Sequence, residues 1–242
     1  DPLDLHAVPA EFQWMPDAGT YHGIFVDLPG AVQFDFKRLD LKQWSHASFQ
    51  WPESLTAELA SGWVAFDRDG VASALIADRT AYTDDLRLAR LDDAIVGLDL
   101  LLSGARVEHV WSHNGPDAAH DRLQSAYELL VQGVFALNRG WRPWRSRELT
   151  HMLALPWLPE TLRGDLARIV VPASNDKEGY LRRARLLSAC LDEIVAQATG
   201  AGLYGDDPVS EAFVRRHDEP GRDWNIADWV AIHTSGKPGK RA

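Results

Sequence analysis

An α+β fold, with a small antiparallel or mixed sheet followed by a helical bundle, is predicted for this chain by three observations. Short runs with strand-like alternation occur only near the front. From about residue 78 onward the apolar period changes from two to 3.6. Beyond that point, leucine stripes recur, most of them bracketed by capping residues or prolines and by glycines. The expected division is residues 1–78 as a partial α/β domain, 79–204 as the bundle, and 205–242 as C-terminal helices with a basic tail.

Taken in order, Tyr21–Asp27 and Ala31–Lys37 are rich in β-branched and aromatic residues and are expected to form a hairpin. Pro29 and Gly30 stand at the centre of a type II turn between them. Alternation then places Phe25, Val32, Phe34 and Phe36 on one face, and Ile24, Val26, Gln33, Asp35 and Lys37 on the other. A short helix is expected over Pro52–Ala60, stopped by Gly62. Trp63–Phe66 reads as a further strand, closed by the turn Asp67-Arg68-Asp69-Gly70.

In the second half, Thr83 can cap a helix whose stripe is Leu88, Leu91, Ile95, Leu98 and Leu102, with Gly104 beyond it. Asn114-Gly115-Pro116-Asp117 signals a second helix start, because Pro suits the first turn and an acid suits the positive end of the dipole. Leu123, Tyr127, Leu130, Val134 and Leu137 align on that helix. Pro159 opens another, with Leu162, Leu166 and Ile169 on one side. Asn175 with Glu178 forms a capping-box-like start to the last long helix, whose stripe is Leu181, Ala184, Leu187, Leu191, Ile194 and Ala198. No one of these stripes can be buried alone, so a bundle is expected.

Composition narrows the function classes. Across 242 residues the formal net charge is −10, which disfavours a phosphate-backbone footprint and hence a nucleic-acid partner. An acidic surface suits a cationic small molecule, but it is also an ordinary solubilising balance. The longest apolar runs, such as Ile169-Val170-Val171, are too short to span a bilayer, so no membrane partner is expected. No basic segment followed by an apolar one opens the chain, and Cys190 is the single cysteine, which excludes an internal disulfide. A cytoplasmic location is expected on those grounds.

Two stretches carry a family likeness. The first is Val32-Gln33-Phe34-Asp35-Phe36, followed by Trp63-Val64-Ala65-Phe66-Asp67-Arg68-Asp69-Gly70. The second is Val134-Phe135-Ala136-Leu137-Asn138-Arg139-Gly140-Trp141-Arg142-Pro143-Trp144, continuing to Leu153-Ala154-Leu155-Pro156. Together they resemble bacterial proteins that join a polymerase-β-type nucleotidyltransferase domain to a helical C-terminal domain, antibiotic adenylyltransferases among them. The resemblance covers residues 20 to 170 by pattern and implies a nucleotidyltransferase-like sheet ahead of the bundle. It further implies ATP with Mg²⁺ as the nucleotide partner and a small hydroxylated molecule as acceptor, with two metals clamping the attacking and leaving oxygens.

Carried onto this chain, Asp35 stands at the place of the third metal carboxylate, as a metal ligand or a base for the acceptor hydroxyl. Strand alternation offers the other reading, a solvated carboxylate on an exposed face. Asp4 matches the second metal carboxylate, while Pro2 occupies the place of the first, and no Gly-Ser phosphate turn precedes the strands. Arg145 and Arg147 are the candidates for holding the triphosphate, since a guanidinium fork suits phosphate. The alternative for this loop, favoured for Arg142, is stacking on Trp141 and Trp144. The departures predict either a relative that binds without catalysing or an enzyme whose front motifs lie upstream of Asp1.

His109 and His113 lie four residues apart, but Asn114-Gly115-Pro116 is expected to break any helix there, and the Glu of a metalloprotease motif is missing. No zinc site is expected from them.

Overall fold

The computed structural model describes residues 39–172 and 174–217, preceded by the backbone of three short strands, Gln13–Met15 (β1), Thr20–Phe25 (β2) and Val32–Lys37 (β3). The strands pair antiparallel in the order β1-β2-β3, with Phe25 opposite Val32 and His22 opposite Asp35. Everything from residue 39 to 217 that has regular structure is helix: Leu41–Trp44 (α1), Glu53–Ser61 (α2), Val71–Thr80 (α3), Asp84–Leu102 (α4), Gly104–Leu137 (α5), Arg145–Leu153 (α6), Glu160–Val170 (α7), Lys177–Gly200 (α8) and Pro208–Arg216 (α9).

This corrects the α+β expectation. Trp63–Phe66 is an open loop and not a strand, and the segment after its turn is the helix α3. The hydrophobic core is built from helices and the loops that join them. The described body is all-α. The misreading has a physical cause: Trp63, Val64 and Phe66 have strand-forming side chains, but all three are exposed, so no packing converts that propensity into pairing.

The chain divides into two compact units, Asp1–Trp51 with Asp67–Leu75, and Pro52–Phe66 with Ile76–Ala242. Within the first, Trp44 is buried against Phe49 and Trp51, and the Trp51 indole N–H donates to the Trp44 carbonyl at 3.0 Å. The Asp67 carboxylate accepts from the Ser73 amide at 2.7 Å, satisfying an early orphan donor of α3.

The second unit is the bundle. Thr83 caps α4 by accepting from the Leu86 amide at 3.2 Å, and Leu91, Ile95, Leu98 and Leu102 are buried along it. Gly133 of α5 lets three helices meet, because a Cβ there would lie 3.2 Å from both Ala94 of α4 and Ile194 of α8. The cap of α8 is Asp176 and not Asn175: its carboxylate accepts from the Gly179 amide at 2.7 Å. Tyr180, Leu187, Cys190 and Ile194 carry the buried face of α8.

Helix α5 departs from expectation in its first half. The helix runs from Gly104, and only Gly115 leaves helical geometry, at φ 82° and ψ 172°. Gly115 tolerates that positive φ and Pro116 opens the helical stretch that follows, so two helical stretches meet at a kink there, where the start signal stands in the sequence, and the added feature is the helical stretch from Gly104 before it. At its far end Arg139 holds φ 53°, and Gly140 donates back to the Phe135 carbonyl at 2.9 Å, a Schellman closure with Arg where Gly is usual. Asn138 then ties this end to the loop before α7. Its side chain donates to the Trp157 carbonyl and accepts from the Trp157 amide, both at 2.9 Å.

Candidate functional site

The loop that follows α5 enters a cluster of three arginines and three glutamates. Trp141 anchors the loop, its indole N–H donating to the Thr80 carbonyl at 2.9 Å and its ring meeting Tyr82 edge-on at 5.1 Å. Arg90 of α4 lays its guanidinium 5.0 Å from the Trp141 centroid and 5.6 Å from that of Tyr82, and pairs with Glu53 of α2. Glu53 also accepts from the Arg142 amide at 3.0 Å, which links α2 to the loop.

Arg142 is the centre of the cluster. Its Nε donates to Glu148 Oε2 at 2.8 Å and its Nη2 to Glu128 Oε2 at 2.9 Å. Burial opposes its charge, but the hydrogen bonds and charges of Glu148 and then Glu128 outweigh that, and its pKa is raised. Glu148 is 4% exposed, so its carboxylate depends on these arginines. Arg145 binds the same two acids, reaching Glu128 Oε1 at 2.8 Å and also pairing with Glu148. Its guanidinium lies 5.9 Å from the Tyr127 ring. Arg90, Arg142 and Arg145 are therefore matched one for one by Glu53, Glu128 and Glu148.

The predicted site residues fall as follows. Arg145 lies in the cluster, with its side chain 59% exposed. Arg147 is exposed on α6, and a spacing of two along a helix turns it away from Arg145. Asp35 belongs to β3, its side chain outside the described residues, and Asp4 also lies outside them. The expected stacking on Trp141 is made, but by Arg90, and Arg145 faces Tyr127. Arg90, Glu53, Glu128 and Glu148 were not singled out from sequence. Only the Arg145–Glu148 spacing of three was a readable local signal.

A second polar cluster clamps α9 to α4. Buried Asp92 accepts from the Tyr204 hydroxyl at 2.8 Å and is gripped by both Nε and Nη2 of Arg215 at 2.9 Å. Burial, then the Asp92 carboxylate, raises the Tyr204 pKa, so the phenol stays a donor. Beside the clamp is a groove of 380 Å³ lined by Asp85, Leu88, Asp93 and Arg216. Arg216 pairs with Asp93 there at 2.9 Å.

Among the described residues no three His, Cys, Asp or Glu side chains converge as metal ligands. No described helix is long and apolar enough to cross a membrane. No protein-family model, curated protein or solved structure matches the chain.

Proposed function

We propose that this chain is a nucleotidyltransferase-like protein that works by binding a partner and does not transfer a nucleotidyl group. The observation that carries this reading is the charge matching around Arg142. A triphosphate site needs surplus positive charge and donors free to meet phosphate oxygens. Here Arg142 and Arg145 spend their forks on Glu128 and Glu148, and an incoming triphosphate would meet two carboxylates as well as two guanidiniums. In this reading the cluster is a structural clasp joining α5, α6 and α2. The loop after α2 supports a binding role, because Trp63 and Phe66 are 84% and 78% exposed, and large exposed aromatics favour contact with a protein partner.

A second reading is transfer from ATP with Mg²⁺ to a small hydroxylated acceptor. It is favoured by Asp35 at the third-carboxylate place and by Arg147, which is exposed and pairs with no acid among the described residues. Calorimetric titration of Mg·ATP into the wild-type chain and into Arg145→Ala separates the two. The binding-protein reading expects no saturable nucleotide binding that depends on Arg145. Tight binding lost in that variant would favour the enzyme.

A further inference from the structure

Helix α5 is held unevenly on the two sides of Gly115. Beyond it the helix buries Leu123, Tyr127, Leu130, Val134 and Leu137. In the stretch 104–114 before it, Val107 alone is buried, with Val110 and Trp111 half-buried. That stretch is tied to α8 by the Tyr180 hydroxyl, which donates to the Val107 carbonyl at 3.0 Å, and by a Lys177–Glu108 pair at 3.3 Å. Both of its ends can turn. Ser103 ahead of it is non-helical at ψ 125° and makes no side-chain cap, and Gly115 follows it at φ 82°.

Three rings meet where the stretch lies on α8: Trp111 before the kink, His120 after it, and Tyr180 of α8. Ring centroids are 5.2 Å apart for Trp111–Tyr180, 5.7 Å for His120–Tyr180 and 6.2 Å for Trp111–His120. Both His120 ring nitrogens are enclosed, with no hydrogen-bond partner among the described residues. The charged groups acting on the ring are Asp117 of α5, Asp176 at the α8 cap and Arg183 of α8, while Arg122 acts on Tyr180. Arg183 Nη1 lies 3.5 Å from the His120 carbonyl oxygen. An imidazolium here would hold two enclosed donors without an acceptor, close to a guanidinium.

We propose that His120 is a pH-sensitive latch: when neutral it closes the 104–114 stretch on α8, and when protonated it releases that stretch about Gly115 while the rest of the bundle stays folded. Opening carries the Trp111 ring away and gives the charged imidazole water. Burial and then Arg183 lower the pKa of the closed form below 6.5, so the open form takes the proton first as pH falls. The closed form is therefore fully favoured above pH 6.5, and below it the open population rises by at most about tenfold per pH unit. The latch rests on neither reading of the function given above.

The test is hydrogen exchange on the full-length chain, expressed as protection factors so that intrinsic pH effects are removed. At pH 7.5 the amides of residues 108–114 should be less protected than those of α4, because they open without the bundle unfolding. At pH 5.5 their protection should fall about fivefold or more in the wild-type chain. His120→Phe keeps a ring and should abolish that fall. His109→Ala/His113→Ala removes the two exposed imidazoles of the stretch and should preserve it. In the wild-type chain, which needs no variant to fold, the His120 imidazole resonances should titrate below pH 6.5 over the same range as the loss of protection. No fall in the wild-type chain, an equal fall in His120→Phe, or a fall abolished by the double substitution would overturn the proposal. So would protection equal to that of α4 at both pH values, or a His120 titration outside the range of the loss.

Discussion

Arg142 of the post-α5 loop holds Glu148 with its Nε donating to Oε2 at 2.8 Å and the acid almost wholly enclosed. Removing one member of a buried pair leaves the other charge uncompensated, at a cost of about 3 kcal/mol or more. Glu148→Ala should therefore lower the urea midpoint sharply. Glu178→Ala, which breaks an exposed pair with Arg182, should shift it by about 0.5 kcal/mol or less. Similar small shifts in both would show that the cluster is not a structural clasp.

Leu130 and Leu191 lie in the buried stripes of α5 and α8. Truncating either to alanine should destabilise by roughly 2–5 kcal/mol in a denaturant melt. A silent result at either position would remove that residue from the core.

His120 supplies a pH dependence. Its ring meets Trp111 and Tyr180 edge-on, and both ring nitrogens are enclosed with no hydrogen-bond partner among the described residues. Burial, then the nearby Arg183 charge, lowers its pKa below the ordinary 6.5, while Asp117 and Asp176 pull weakly the other way. A depressed folded pKa means that the unfolded chain binds the proton first as pH falls. The stability held by neutral His120 is complete above pH 6.5 and is lost progressively as the pH falls toward the folded-state value. Melting curves from pH 8 down to pH 5 should show that loss, and it should be smaller in His120→Phe.

The exposed aromatics should behave unlike the core. Replacing Trp63 and Phe66 together by serine should change stability by no more than about 0.5 kcal/mol, because neither is buried. The same double variant should bind a hydrophobic dye less strongly than the wild-type chain. A large loss of stability would mean that these rings pack.

Helices α2, α4, α7, α8 and the second half of α5 were legible from periodicity and start signals, whereas α1, α3, α6 and the first half of α5 were not. Thr83, the α4 stripe and Pro159 before α7 all signalled elements that the structure contains. Local spacing does not report long-range closure, and that is where the reading fell short. Glu128 and Arg142 are 14 residues apart, and Asp92 and Arg215 are 123 apart, so neither pair leaves a pattern in the sequence. The strand expected at Trp63–Phe66 failed because side-chain propensity does not say whether a sheet is there to receive it. The interruption expected at Asn114-Gly115-Pro116 is present at Gly115, but the stretch before it, from Gly104, is helical as well, which the loop reading of His109 and His113 had not foreseen.

The central claim, a nucleotidyltransferase-like chain that binds without transferring, is tested most directly by turnover. The wild-type chain and Asp35→Ala would be incubated with labelled ATP, Mg²⁺ and a panel of hydroxylated acceptors, and labelled product measured for each. The account predicts no product above background from either protein. Product formed by the wild-type chain and abolished in Asp35→Ala would contradict it and establish the enzyme.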